Sequence, residues 1–199
     1  MKFKLGRTDV VISFSFLALV LLALVTKSNP VLVESLAVSA LHECVHLLFI
    51  RIFKGSISLI RFSFMGGEIK RGDNTLTSLQ EAVISLSAPV TNVLTGTIFL
   101  LFTSYRRFGI VNLLVGIFNL IPYHSFDGGR ALEQVLQGRV SEGAARLILL
   151  TTSIITCFSF IAINVYMLKK SNGSPVLLIT SLIMLILLVF RVISRGKQV

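Results

Sequence analysis

The stretch LHECVHLLF, Leu41–Phe49, places two histidines and a glutamate inside an apolar run that extends from Val31 to Phe53. Such groups are costly in an apolar setting, and within membrane segments they are functional by default. Because residues four apart share one face of a helix, the rings of His42 and His46 can bind the same metal ion. Glu43 is turned about 100° around the helix axis, where it can act as a general base instead of a ligand. The alternative is a set of hydrogen bonds between membrane helices.

The composition indicates an integral membrane protein. The 199 residues are 54% hydrophobic and 14% charged, whereas soluble domains carry about a quarter charged residues. The formal net charge of +10 does not indicate a nucleic-acid partner, because the basic residues form short clusters between apolar runs and no binding fold is evident. Two cysteines, Cys44 and Cys157, exclude a disulfide framework and are expected to be buried and reduced.

The apolar runs predict an all-α polytopic membrane protein with six transmembrane helices, against a spanning requirement of about 20 residues. The basic start of the chain resembles that of a signal sequence, but no good cleavage site follows, so an uncleaved first span is expected. No repeat or long linker is visible, and residues 1–199 are therefore expected to form a single membrane-embedded domain. The predicted spans are 10–26, 31–53, 82–102, 108–126, 147–168 and 175–190.

A small membrane-associated β-hairpin is predicted between the second and third spans. In GSISLIRFSFMGGEIKR, apolar residues roughly alternate with polar ones from Ile57 to Phe64. Gly66-Gly67 then precedes a second short stretch, Glu68 to Arg71. Alternation of this kind, interrupted by glycine, is typical of paired strands.

The distribution of lysine and arginine predicts the orientation in a cell membrane, with both termini in the cytoplasm. His46 lies eight residues before Lys54, about 12 Å along a helix, so the metal centre is expected near the cytoplasmic side. With six spans, one side carries Lys27, Arg106, Arg107, Lys169 and Lys170, and the other carries Lys2, Lys4, Arg7, Arg51, Lys54, Arg61, Lys70, Arg71, Arg130, Arg139, Arg146, Arg191, Arg195 and Lys197.

A catalytic zinc site needs a third protein ligand, and the candidates are His124 and a carboxylate. The fourth run ends in IFNLIPYHSFDGGRAL, where Pro122 is expected to break the helix. Asp127 follows, with Gly128 and Gly129 permitting close approach of the backbone. Asp127 is the better ligand on charge grounds, because a carboxylate partly neutralises Zn²⁺. The competing interpretation makes Asp127 a cap of the helix that contains residues 131–136. His124 stays a candidate ligand, but a local hydrogen-bonding role is expected for it.

The third span carries SAPVTN, Ser87–Asn92, in an otherwise uncharged run. Pro89 disturbs the helix, and Asn92 places an amide at mid-depth. One interpretation is a hydrogen bond between helices. The other is a donor to the substrate carbonyl that stabilises an oxyanion during attack by water.

Three motifs in this order resemble those of the site-2 protease family of intramembrane zinc metalloproteases. They are HECVH, SAPVTN and NLIPYHSFDGG, which begin at residues 42, 87 and 119. Asn119, Pro122, Asp127 and Gly128 match every specified position of the family pattern Asn-x-x-Pro-x-x-x-x-Asp-Gly. The six-span layout with FMGGEIKR looks closest to the branch that contains the stage IV sporulation protease, whose substrate is a membrane-tethered transcription-factor precursor. The C-terminal sensing domain of that branch is not expected here.

The resemblance implies His42, His46 and Asp127 as ligands of one Zn²⁺ and Glu43 as the catalytic base. It also implies a supporting role for Asn119, structural roles for Pro122 and Gly128, and an edge near FMGG to which an extended substrate adds as a strand. The implied partners are a membrane-anchored protein substrate, the lipid bilayer and, as a candidate, a membrane regulator in trans. The chain departs from the pattern at Cys44-Val45, commonly Leu-Gly, and at Ala88, where glycine is usual.

The leading hypothesis is therefore an intramembrane zinc metalloendopeptidase of bacterial type. The main alternative is a membrane metal-ion carrier that uses the same ligands transiently. Carriers commonly contain inverted repeats with broken helices in both halves, and spans five and six offer no counterpart to the proline-broken third and fourth. A catalytically silent scaffold is disfavoured because every expected catalytic group is present.

Overall fold

The computed structural model describes residues 1–6, 8–25, 30–63, 66–72, 76–102, 104–169, 179, 181–186 and 188–189. These residues are mostly helical, as predicted, and include a small sheet. The chain divides into two units, Met1–Leu120 and Ile121–Val199. The expectation of a single domain over residues 1–199 remains a prediction.

The first unit contains four strands and four helices among its described residues. In chain order these are β1 (Lys2–Leu5), β2 (Thr8–Ile12), α1 (Phe14–Val25), α2 (Pro30–Ile52), β3 (Ile57–Ser63), β4 (Gly66–Arg71), α3 (Ser78–Phe102) and α4 (Arg106–Leu120). The second unit contains α5 (Asp127–Leu136) and α6 (Glu142–Lys169).

Three helices in the described part of the chain are long and apolar enough to cross a membrane: α2, α3 and α6, with 23, 25 and 28 residues. Their outward faces carry large exposed apolar side chains, including Leu48, Leu94 and Phe158, as expected for surfaces that contact lipid. Helices α1 and α4, with 12 and 15 residues, are shorter than a full span. Of the predicted span 175–190, residues 179, 181–186 and 188–189 are helical and the others lie outside the described residues. The count of six spans remains a prediction.

The strands form one sheet in the order β1-β2-β3-β4. Strands β3 and β4 pair antiparallel from Ser63↔Gly66 outward, which confirms the predicted hairpin; Phe64 lies outside the described residues. A second hairpin, β1–β2, was not predicted, because the basic start had been assigned to the approach of the first span. That assignment was wrong for Lys2–Leu5 and Thr8–Ile12, which form strands: β1 pairs antiparallel with β2, and β2 pairs parallel with β3. The available sequence signals were the alternation in Lys2–Leu5 and the glycine that follows it; in the structure Gly6 has a φ of +64°.

Helices α3 and α4 pack closely through small residues. A Cβ atom on Gly96 would lie 2.8 Å from the carbonyl oxygen of Gly109, and one on Gly116 would lie 2.7 Å from that of Pro89. These backbone contacts have no room for a side chain, so glycine is what allows α4 to lie against the Pro89 region of α3.

Candidate metal centre

The two histidines of α2 lie on its buried face. Val38, His42, His46 and Ile50, spaced four residues apart, are the buried residues of this helix, whereas Leu41 and Leu48 are exposed. The rings of His42 and His46 are 4.9 Å apart between centroids and nearly perpendicular. The helical period therefore places both imidazoles on one protein-facing stripe, as the sequence predicted.

A carbonyl group of α3 orients His46. The Nδ1 atom of His46 lies 2.9 Å from the carbonyl oxygen of Ile84. Because a carbonyl only accepts, Nδ1 carries the hydrogen and donates it, which leaves the Nε2 lone pair for a metal ion. The Ser87 hydroxyl donates to the same oxygen at 2.7 Å. Ser87 belongs to the SAPVTN motif, but nothing in the sequence indicates the carbonyl of Ile84 as the partner of His46.

Glu43 is half-buried and lies beside strand β4. A Cβ atom on Gly67 of β4 would be 2.6 Å from Cδ of Glu43.

The two cysteines differ in exposure. Cys44, next to Glu43, is exposed, so the expectation that both cysteines are buried was wrong for this one; Cys157 is buried. Cys44 therefore lies away from the histidine stripe, and its departure from the family pattern does not alter the face that carries the imidazoles.

Glu34, the other carboxylate of α2, is engaged elsewhere. It accepts hydrogen bonds from Nε of Arg107 in α4 at 2.9 and 3.0 Å. This interaction raises the pKa of the Arg107 guanidinium, which stays charged. Glu34 lies eight residues before His42, about 12 Å along the helix, and its role is to join α2 to α4.

In the second unit, Asp127 begins helix α5 directly after an irregular segment. Residues 121–126 are not helical, as Pro122 predicted. Asp127 is 5% exposed and lies 3.6 Å from a guanidinium nitrogen of Arg130. The N-cap position of α5 is Phe126, whose side chain makes no capping hydrogen bond, so Asp127 lies in the first turn of α5 and not at its N-cap.

Gly129 sets the tight turn that leads into α5. A Cβ atom on Gly129 would lie 2.0 Å from the carbonyl oxygen of Tyr123 and 2.4 Å from its carbonyl carbon. Backbone atoms cannot move aside as side chains do, so no other residue fits here without rebuilding the turn. The family pattern specifies Gly128, which is buried. The predicted close approach of the backbone occurs at Gly129, which lies against the backbone of Tyr123.

Buried contacts in the second unit hold the segment before Asp127. Tyr123 is fully buried, and its hydroxyl donates to the carbonyl oxygen of Met184 at 2.5 Å. The backbone N–H of His124 donates to the Ser153 hydroxyl at 3.1 Å, and the His124 ring packs on that of Tyr123, with centroids 4.4 Å apart. These contacts agree with the local role expected for His124.

The two asparagines differ in their use of hydrogen bonds. Asn92 of α3 is 3% exposed, and within the described residues its Nδ2 atom has no hydrogen-bond partner. The interpretation of Asn92 as a donor to another helix gains no support from the described residues. Asn119 of α4 donates from Nδ2 to the carbonyl oxygen of Val115, one turn earlier in its own helix, at 3.0 Å.

The donor chemistry defines the class of site. Two imidazoles and one carboxylate, His42, His46 and Asp127, are all buried and offer a possible ligand set for a metal ion. Two histidines, a carboxylate and a glutamate base are the components of zinc peptidase sites. These residues thus suit the binding of zinc, and together with Glu43 they have the chemistry of a metallopeptidase site, part of which lies on the apolar helix α2.

Comparisons with known proteins agree with this class. Residues 103–160 match the model of Peptidase family M50, a region that contains Asn119 and Asp127 but not the histidines of α2. The fold is similar to that of the Site-2 Protease from Methanocaldococcus jannaschii, with a TM-score of 0.63 and 18% identity over 92% of this chain and 91% of that one. No curated protein sequence matches the chain.

These findings confirm two predictions, an enzyme of the zinc metalloprotease class and zinc as its cofactor. The three long apolar helices also support the prediction of a membrane protein. The roles of individual residues remain predictions.

Proposed function

We propose that the protein is an intramembrane zinc endopeptidase that hydrolyses a peptide bond in or near the transmembrane segment of a membrane-anchored protein. In this proposal His42, His46 and Asp127 bind one zinc ion, and Glu43 is the general base. The observation that supports it most directly is the buried stripe of α2, where both imidazoles share one face and Ile84 fixes the tautomer of His46.

Zinc, when bound, supplies a Lewis acid that polarises a carbonyl and lowers the pKa of water. Glu43 accepts a proton from the attacking water at a carboxylate oxygen and then delivers it to the leaving peptide nitrogen. The Ile84 carbonyl holds the His46 ring in one tautomer throughout. The apolar faces of the spanning helices keep bulk water away, which strengthens each of these polar interactions.

We assign Asn92 to stabilisation of the oxyanion. A buried amide whose donor has no partner among the residues that the structure describes suits this role, because a donor pre-oriented in a dry site requires no reorganisation during the reaction. Asn92 lies two turns, about 12 Å along α3, from the residue whose carbonyl contacts His46.

Replacing Asn92 by alanine is expected to lower kcat by about 10²–10³-fold with little change in KM or zinc content. The measurement is steady-state cleavage, by the purified protein in liposomes, of the membrane-anchored protein that accumulates uncut in cells without the enzyme. Asn112 is a matched control, since this buried amide donates to Phe108 within its own helix, and its alanine variant should keep kcat near that of the wild type. A normal kcat for Asn92→Ala would remove Asn92 from the reaction.

The substrate is expected to bind in an extended conformation along β4. This strand is an edge of the sheet, and it contains Gly67, which contacts Glu43. A membrane helix must unwind before its peptide bonds can be attacked, and strand addition would hold it open. We also propose that both termini and the active site face the cytoplasm, on the basis of the lysine and arginine distribution.

A membrane regulator in trans and a role in sporulation, on a transcription-factor precursor, are further expectations from the resemblance. Regulated proteolysis would require an upstream event that makes the substrate available, and a multi-pass enzyme of this type is suited to release an anchored protein fragment.

The function can be tested by comparing membrane proteomes of cells that contain or lack the enzyme. We expect at least one membrane-anchored protein to accumulate uncut without the enzyme, and its fragment to appear in the cytoplasm when the enzyme is present. A metal-ion carrier predicts a different result: zinc flux in proteoliposomes and no change in the processing of any membrane protein. That outcome would replace the protease assignment, and release on the opposite side would reverse the proposed orientation.

A further inference from the structure

We infer that Gly67 is a positioning residue: its missing side chain lets β4 lie against Glu43 and hold the carboxylate in its reactive place. The inference rests on the proposed function, in which Glu43 is the base. It concerns a contact within the first unit only.

The contact is closer than any side chain would allow. A Cβ atom on Gly67 would lie 2.6, 2.8 and 2.9 Å from Cδ, Oε2 and Cγ of Glu43. Non-bonded carbon atoms attract at about 3.5–4.0 Å, so even one methyl group cannot occupy this space beside the present carboxylate. The bare backbone of β4 is therefore one wall of the space that Glu43 occupies.

Strand β4 is held in place through its neighbour β3, on the edge that does not end the sheet. Gly67 pairs with Phe62 of β3, whose carbonyl oxygen accepts hydrogen bonds from the backbone N–H and the hydroxyl of Ser13, at 2.9 and 2.8 Å. The Phe62 ring also packs on Phe16 of α1, with centroids 5.5 Å apart, and β3 lies between β2 and β4. Because Phe62 is held in this way, a methyl group on Gly67 should move the flexible Glu43 side chain and leave the strand in place.

The consequence is specific to the chemical step. A general base must lie within hydrogen-bond reach of the proton it removes, and a shift of about 1 Å can cost about 10²-fold in rate. Gly67→Ala should therefore lower kcat by about 10²-fold while KM and zinc content stay at wild-type values. Because Gly67 lies within a strand, the position of the base, and not a turn, is the reason for a glycine here.

Double-mutant cycles test the inference with two readouts. In activity, Glu43→Asp shortens the side chain and makes room, so adding Gly67→Ala to it should lower kcat by less than about threefold. In thermal unfolding, which needs no catalysis, Gly67→Ala should lower Tm in the wild type, and this loss should disappear in a Glu43→Ala background. If Glu43 were not the base, the activity cycle would show no effect of Glu43→Asp, while the stability cycle would still report the contact.

Gly72→Ala is the matched control. It alters the same hairpin, but its Cβ would meet the hydroxyl of Ser56, 2.6 Å away, and not Glu43. This variant should keep kcat and KM near the wild-type values. Independent, additive losses in both cycles would overturn the inference. So would a higher KM with unchanged kcat for Gly67→Ala, which would assign Gly67 to binding of the substrate strand.

Discussion

The Glu43→Gln variant is expected to retain zinc and to lose cleavage by about 10²–10⁴-fold, the range that general acid–base catalysis contributes. Glutamine has nearly the same shape as glutamate, so the packing of α2 against β4 should persist. Its amide cannot accept the proton of the attacking water. Metal content should stay normal, because Glu43 is turned about 100° from His42 around the helix and is the base, not a ligand, in the proposed function.

The measurement combines zinc content of the purified variant with processing of the membrane protein that accumulates when the enzyme is absent. Glu34→Gln is a suitable control on the same helix. Glu34 is a carboxylate paired with Arg107 and lies about two turns from His42, so its amide variant should cleave normally with at most a small loss of stability. A Glu43→Gln protein that still cuts this substrate at the wild-type rate would show that Glu43 is not the base.

The histidine stripe could be predicted from the sequence because a helix has one strong period. His42 and His46 are four residues apart, and in an apolar run a pair of imidazoles is stable only on a face that meets protein. The β3–β4 hairpin was equally accessible, since alternation and a glycine pair are local signals. Both predictions depended on residues close together in sequence.

Contacts between distant segments could not be predicted in the same way. The parallel pairing of β2 with β3 joins residues about 50 positions apart, and nothing in the basic start of the chain encodes that partner. The carbonyl of Ile84 as the partner of His46 depends on how α2 packs on α3. The contact between Gly67 and Glu43 likewise depends on the path of the hairpin over α2.

Asp127 was partly predictable from local sequence and partly dependent on the structure. Its place after a proline-broken helix was readable, and so was the alternative that it caps the following helix. In the structure α5 begins at Asp127 itself and its N-cap is Phe126, so Asp127 does not occupy the N-cap position. A buried carboxylate needs compensation, and the exposed Arg130, 3.6 Å away, is one source of it. In the proposed function a metal ion supplies further compensation.

Asp127→Ala is therefore expected to weaken zinc binding by more than about 10²-fold, since loss of an outer-shell partner alone typically costs 10–100-fold. Cleavage should be lost with the metal. His46→Ala should behave in the same way, because it removes an imidazole whose tautomer is already set for metal binding. Zinc content after dialysis against a chelator of known affinity measures the first effect, and substrate processing measures the second.

His124→Ala distinguishes the two candidates for the third ligand. The backbone N–H of His124, which bonds to Ser153, survives the substitution, so the segment before α5 should keep its conformation. We expect this variant to retain zinc and activity. Thermal unfolding without zinc separates ligand loss from misfolding: zinc-free Asp127→Ala should still show a cooperative unfolding transition, as zinc-free wild type does, because the ion that the carboxylate would bind is absent from both. Zinc lost from His124→Ala but retained by Asp127→Ala would make His124 the third ligand.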